Sequence, residues 1–315
     1  MENIFVGIDV SKNWLDVGII PQNEVKRFLY TDDALIQLAD FVKSANPVMV
    51  VLEATGGLEM PVASVLAAAD IPVRIVNPRQ VRDFAKAMGV LAKTDQIDAQ
   101  VIARFGERIK PDLRPLKDEE TQELSALSAR RRQLTGMLVM EKNRLSSCKN
   151  AARKSIQEHI AWLENCIKQI DKDMDTRIKK SPIWQEKAEI LTSFKGIGPV
   201  NTRTLLAELP ELGTINKKKI SVLVGVAPLN SDSGVKIGKK IIWGGRAHVR
   251  SVLYMAAVSA IKSNPVIKTF YRRLIASGKK PKIALTACMH KILIILNSML
   301  RTHTLWNPEL RSHVP

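Results

Sequence analysis

The chain has 315 residues, 48 Lys and Arg against 31 Asp and Glu, a formal net charge of +17 and 45% hydrophobic residues, enough for two or three domains of about 100–200 residues with buried cores. Its three cysteines, Cys148, Cys166 and Cys288, stand far apart, form no C-x-x-C pair and leave an odd count, which excludes a disulfide scaffold, argues against zinc and suits a reducing cytoplasm. The opening MENIFVGIDV carries no basic stretch ahead of an apolar one, and no unbroken run of about 18 apolar residues occurs, so neither a secretion signal nor a membrane span is expected.

Residues 1–112 predict an α/β domain. Three short β-rich runs, Ile4–Val10, Trp14–Ile20 and Val25–Tyr30, are separated by polar or turn residues, and a helical stretch Asp33–Ser44 follows. Next come a buried-type strand Val48–Leu52 ending in Glu53-Ala-Thr-Gly-Gly, an Ala-rich helix Glu59–Ala69, a strand Val73–Val76 and a helix over about 94–109. Three strands followed by alternating helix and strand is the order of an RNase H-like (RuvC-like) domain.

Residues 113–184 predict a coiled-coil linker. Over 119–180 glycine disappears except at Gly136, and Ile156, Ile160, Leu163, Ile167, Ile170 and Met174 follow a 4-3-4-3-4 spacing, a heptad seam. Leu124, Leu127, Leu134, Leu138 and Leu145 share that lattice, with Arg131 and Glu141 at its missing positions. A helical hairpin within one chain and a coiled coil between chains both satisfy the pattern. Residues 185–302 predict an all-α domain holding one irregular basic loop, and 303–315 a weakly ordered tail.

Charge separates these parts. Residues 1–110 hold 12 basic and 14 acidic side chains, 111–184 hold 15 and 11, and 185–315 hold 21 and 6. The last third therefore faces a polyanion, and nucleic acid fits better than anionic lipid because no Trp/Lys amphipathic anchor accompanies the charge.

Asp9 closes the first strand and Glu53 the buried one, so both carboxylates leave a rigid core at strand ends, where ligand sites commonly form. Asp95 and Asp98 lie three apart on a helix and share a face. Hard oxygen donors in such a group suit Mg²⁺ or Mn²⁺ in phosphoryl transfer. Each acid alone has a plainer role: Asp95 and Asp98 follow a plausible N-cap, Thr94, and Asp9 and Glu53 can be turn or loop acids. Asp16 and Glu59 are expected to be structural.

In the basic domain, Lys195-Gly196-Ile-Gly198 between helical stretches is similar to a helix-hairpin-helix turn, whose glycines allow close approach to a phosphate; an ordinary interhelical turn has the same composition. The loop around Ser231-Asp232-Ser233-Gly234 is rich in Lys236, Lys239 and Lys240. Its serines are sterically open but lack an obvious histidine partner, and the run is also common turn composition. Arg246 and Arg250, four apart at the start of an apolar helix, are placed to bind phosphate.

The ordered set Gly7-Ile-Asp9-Val-Ser-Lys, Glu53-Ala-Thr-Gly, Asn77-Pro78-x-Gln80-Val, Lys93-Thr94-Asp95-x-x-Asp98-Ala, Gly196-Ile-Gly198-Pro, Asp232-Ser233-Gly234, Trp243-Gly-Gly-Arg246 and Leu253-Tyr-Met-Ala-Ala resembles the DEDD-type transposases of bacterial insertion sequences. That family includes Piv-like invertases and bridge-RNA-guided recombinases. The resemblance implies divalent metal on Asp9, Glu53, Asp95 and Asp98. It also implies a serine nucleophile at Ser233, with Ser231 as runner-up. The implied partners are donor and target DNA, a structured guide RNA and a tetramer built as a dimer of dimers, at the nucleoid of a bacterial cytoplasm with no membrane. Because the acids and the serine belong to different domains, a composite site is expected. One departure is Ala287-Cys288-Met289-His290-Lys291, where many members keep an Arg in the place of His290. The competing readings are a metal-dependent, Holliday-junction-resolvase-like nuclease without a covalent intermediate, and a coiled-coil nucleic-acid-binding regulator.

Overall fold

The structure, a computed structural model, describes residues 2–90, 94–112, 118–228 and 241–309. Its packing divides the chain into two compact units, Met1–Lys117 and Asp118–Pro315. The expected separation of 113–184 from 185–302 is therefore not a separation in packing.

In the first unit Phe5–Val10 (β1), Trp14–Ile20 (β2) and Glu24–Leu29 (β3) form an antiparallel meander, and Met49–Glu53 (β4) and Val73–Val76 (β5) add in parallel to give the order β3-β2-β1-β4-β5. This is the RNase H-like order expected from the sequence. Strand alternation sends Val6, Ile8, Leu15, Val17, Val50 and Leu52 to one face, where Asp32–Ser44 (α1) and Glu59–Ala68 (α2) cover them. Phe5, Met49 and Val51 point to the other face, under Pro78–Ala87 (α3) and Asp95–Ile109 (α4). Helix α3 is absent from the sequence reading. Asn77 caps it by accepting the Arg79 amide (2.8 Å) and Pro78 opens it. Only Val81 of α3 is buried, so its apolar periodicity is faint.

Helix α4 lies directly on β1 and β2. Gly7 and Gly18 face each other in register, and a Cβ on Gly7 would stand 2.2 Å from the Ala99 carbonyl oxygen, one on Gly18 2.8 Å from the Ala99 carbonyl carbon. The helix meets this gap with Ala99 and Ala103, both fully buried, and with Gly106 over Val51. Backbone thus packs on backbone, which fixes the height and direction of α4 above the sheet.

Among the described residues, the longer elements of the second unit are all α-helices. Glu119–Ser147 (α5) and Asn150–Lys180 (α6) form an antiparallel hairpin, read from the ion pairs Glu123–Arg177, Arg131–Asp171 and Lys142–Glu164 and from the polar contact Glu141–His159, whose numbers run in opposite directions. Arg131 and Glu141, the polar intrusions in the heptad lattice, are therefore partnered across the seam. The intrachain alternative holds here, with Leu124, Leu134, Leu163 and Met174 buried and the remaining seam residues half-buried.

The base of the hairpin enters the core of Pro182–Ser193 (α7), Pro199–Glu208 (α8), Lys217–Val224 (α9), Ala247–Ser263 (α10), Pro265–Ala276 (α11) and Pro281–Thr302 (α12). Buried Arg203 of α8 pairs with Asp171 and Asp175 of α6, and the Ser125 hydroxyl donates to the Ala207 carbonyl (2.7 Å). Helix α12, at a mean hydropathy of 1.7 over its most apolar window, is long and apolar enough by length and composition to cross a membrane. Its Leu285, Ile292, Leu296 and Met299 are instead core residues of this unit. Residues 303–309, expected to be weakly ordered, dock on α7: Trp306 packs edge-on to Phe194 at 4.8 Å and its amide donates to the Ser193 hydroxyl.

Two glycine substitutions are expected to act in opposite directions. Gly7→Ala forces α4 off the sheet and lowers stability by about 1–3 kcal/mol or more, whereas Gly136→Ala, mid-helix with no atom within 4 Å of the added carbon, raises it by up to about 1 kcal/mol. Urea denaturation of the two variants beside the parent checks both signs.

A candidate active site at the strand ends

The pleat that puts Gly7 under α4 puts Asp9 on the same side, two residues on. In register Asp9 faces Asp16, and Asp16 faces Arg27 of β3. Asp9 and Glu53 each follow the last parallel pair, Ile8 with Leu52. Arg27, Asp16, Asp9 and Glu53 thus form one transverse row at the end of β1 and β4. Above it the Thr94 hydroxyl caps α4 by accepting the Ile97 amide (3.3 Å), and Asp95 and Asp98 occupy the helix's first turn.

Negative charge concentrates on Asp9. Its carboxyl pKa is pushed up to about 6, by burial first and then by Asp98, Glu53, Asp95 and Asp16. The other three acids singled out in the sequence, Asp98, Glu53 and Asp95, therefore all act on Asp9, and Asp16 joins them. Arg27 is the counter-charge the sequence reading missed. Its guanidinium grips Asp16 with two bonds, Nε to Oδ1 at 2.8 Å and Nη2 to Oδ2 at 2.9 Å, reaches Asp95 Oδ2 at 3.0 Å, and sits 5.4 Å from the Trp14 ring centroid. Asp16, expected to be only structural, is buried within the row itself. Glu59 does keep a structural role, accepting the Thr55 and Gly57 amides at 2.9 Å and so holding the loop that follows Glu53.

The donor set suits a hard divalent cation, since every group is a carboxylate and their mutual repulsion is relieved by positive charge. The arrangement is looser than a closed coordination shell. Among the described residues no three carboxylate, imidazole or thiol groups stand close enough to share an ion, and Asp95 is engaged with Arg27.

Ser231, Ser233, Lys236, Lys239 and Lys240 lie outside the described residues. The flanks of their loop are pinned together. The Arg246 amide donates to the Leu223 carbonyl (2.9 Å), and Arg250 Nη1 donates to the carbonyls of Val224 (3.1 Å) and Gly244 (2.6 Å). Gly225 and Gly245, both at positive φ, lie backbone to backbone, with a Cβ on Gly245 reaching within 2.3 Å of the Gly225 nitrogen. The Arg246 guanidinium pairs with both oxygens of Glu211 (2.6 Å each) and with the Glu208 carbonyl. The structure thus gives Arg246 and Arg250, read as phosphate ligands in the sequence, protein acceptors that brace the loop's base.

His248 stands in the same place, half-buried, with Nε2 3.6 Å from Glu208 Oε1, and burial lowers its pKa. Its position two residues past Arg246 was the available signal for a histidine near the serine loop. At the other candidate contact, Gly196 serves packing: φ is +117° and a Cβ would strike Ala260 at 2.7 Å. Gly198 caps α8 with open space around it, and Lys195 is exposed.

The strand order defines an RNase H-like domain, with Asp9 and Glu53 at its strand ends and Asp95 and Asp98 in the first turn of α4. Residues 6–149 match the family of DEDD transposases of the IS110 type, and residues 188–272 match the transposase family IS116/IS110/IS902. The chain is 27% identical over 311 residues, 96% of its length and 97% of theirs, to the pilin gene-inverting proteins of Moraxella lacunata and Moraxella bovis. An uncharacterized 42 kDa protein of insertion element IS900 from Mycobacterium paratuberculosis is 28% identical over 141 residues, 43% of this chain and 35% of that one. The chain belongs to the IS110-type DEDD transposases, enzymes that recombine DNA.

The raised Asp9 pKa carries a sign for stability. Below about pH 4 Asp9 is protonated in both folded and unfolded chains; as pH rises through about 6, ionising it inside the row costs stability. Asp9→Asn removes that cost. In chelator-treated protein its urea midpoint is expected to exceed the parent's at about pH 7.5, with the advantage shrinking toward about pH 4.5; an advantage that does not change with pH contradicts this assignment.

Proposed function

We propose that the chain cleaves and rejoins DNA in transposition through Ser233, with Asp9, Glu53, Asp95 and Asp98 holding Mg²⁺ or Mn²⁺. The observation that carries the metal reading is the crowding of four further carboxylates around the half-buried Asp9, which one cation serves only in part through Arg27. A divalent ion held there would neutralise charge developing on the phosphate oxygens. Asp9 and Glu53 would hold the ion from rigid strand ends and Asp98 from α4; Asp95 would do so on releasing its bond to Arg27, which would keep its two bonds to Asp16.

The serine reading rests on the resemblance at Asp232-Ser233-Gly234. Ser233 Oγ gives up its proton and bonds to phosphorus as the bond from phosphorus to one strand's leaving oxygen breaks, and that oxygen takes up a proton. Because the phosphoserine linkage replaces one phosphodiester bond with another, rejoining needs no added energy source. Lys236, Lys239 and Lys240 favour the anionic phosphate, and the braces at Arg246 and Arg250 hold the ends of the loop.

A structured RNA that pairs with donor and target DNA, assembly as a tetramer, and action at the nucleoid in the cytoplasm follow from the same resemblance. The pilin gene-inverting relatives favour inversion as one outcome of the exchange. Hydrolysis by a metal-activated water is the rival reading, and the products separate the two. On a plasmid carrying the DNA that flanks the gene, with its transcript and Mg²⁺ supplied, the parent is expected to form a detergent-resistant protein–DNA band. Ser233→Ala is expected to lose the band and the joined product, and Asp98→Ala to reduce both by at least about a hundredfold. Nicking that survives Ser233→Ala with no covalent band overturns the serine reading and leaves the metal reading standing.

A further inference from the structure

Between Ile241 and Pro308 the chain carries eleven Lys and Arg and no Asp or Glu. The excess gathers where α11 turns into α12. Every residue from Ile275 to Ile283 is exposed, and Arg272, Arg273, Lys279, Lys280 and Lys282 are all on this corner. Among the described residues none of these five is paired with a carboxylate. The charges are held close together: the Arg273 guanidinium carbon lies 5.2 Å and Lys291 Nζ 4.8 Å from the centroid of the same ring, Phe270. Burial first, and then Arg273 beside it, lower the Lys291 pKa. Helix α12 adds to this with an N-terminus that no side chain caps. The family match ends at residue 272, so nearly all of the corner lies beyond it.

We propose that this α11–α12 corner is a docking surface for the phosphate backbone of duplex DNA, separate from the serine loop. Five exposed cations on one corner match a row of phosphates, and the enzyme's substrate is DNA. Single-stranded partners need aromatic rings on which to stack bases. At this corner Phe270 and Tyr271 are packed against the core, which leaves backbone contact as the mode of binding. This inference does not depend on the serine or metal readings.

The test is binding of full-length protein to a labelled 25-base-pair DNA duplex of arbitrary sequence, by fluorescence anisotropy across a salt series. Replacing Lys279, Lys280 and Lys282 by Ser is expected to weaken binding roughly tenfold to a hundredfold and to flatten the slope of log affinity against log salt by about 2–3. A control that removes equal charge from scattered exposed positions, Lys43, Lys86 and Lys179 to Ser, is expected to change the slope by less than about 1. Both triple variants replace exposed side chains, and an unchanged melting curve verifies their fold. An unchanged slope in the corner variant, or equal losses in both variants, overturns the proposal. So does a loss seen with duplex RNA of the same length but absent with DNA.

Discussion

A gap one side chain deep governs the first unit. Gly7 and Gly18, opposed on neighbouring strands, leave room for the backbone of α4 to rest on the sheet at Ala99 and Ala103. Any larger residue at either glycine raises the helix, and with it the turn that carries Asp95 and Asp98. The same strand alternation that turns Gly7 toward the helix turns Asp9 toward it two residues later. The contact that anchors the helix and the carboxylates it delivers are therefore two readings of one pleat, and the acids' positions follow from backbone contact more than from their own bonds.

Held there, the acids store unfavourable charge. Asp9 is flanked by Asp16 in register and faced by Glu53, Asp95 and Asp98, and its raised pKa records that crowding. Arg27 answers part of it, binding Asp16 with two bonds and Asp95 with one. A bidentate guanidinium is a directional partner that a lysine cannot replace, so Arg27 both limits the repulsion and sets where Asp95 points. The acids around Asp9 are thus kept in place by the sheet and α4 against their mutual repulsion, and Arg27 relieves part of it.

The second unit uses opposite charge for register. In the hairpin, Arg131 and Glu141 interrupt an apolar lattice and are paired across it with Asp171 and His159. Asp171 is shared with buried Arg203 of α8, so one carboxylate links both hairpin helices to the helical core. Removing Asp171 or Asp175 leaves buried Arg203 with fewer partners, a larger cost than breaking an exposed pair would carry. Acids are used inside this unit as staples, and the corner between α11 and α12, where acids are missing altogether, stands out against that pattern.

Alternation of apolar and polar residues was enough to read all five strands and most helices of the first unit, because each strand and helix buries a face whose period is visible along the chain. The heptad seam was equally plain. Asp9, Glu53, Asp95 and Asp98 were legible as candidates because each ends a strand or opens a helix. Helix α3 was not, since it buries little beyond Val81. Arg27 and Asp16 were not, because their importance comes from hairpin register, which brings residues eleven apart side by side. The sequence also left open whether the seam closed within one chain, and suggested that Arg246, Arg250 and Gly196 touch phosphate. Only the tertiary structure supplied Glu211, the Gly244 carbonyl and Ala260 as their partners. A sequence states the period of a face and the chemistry of each side chain; which distant group a cation or a glycine meets is decided by the packing of whole elements, and no local pattern encodes it.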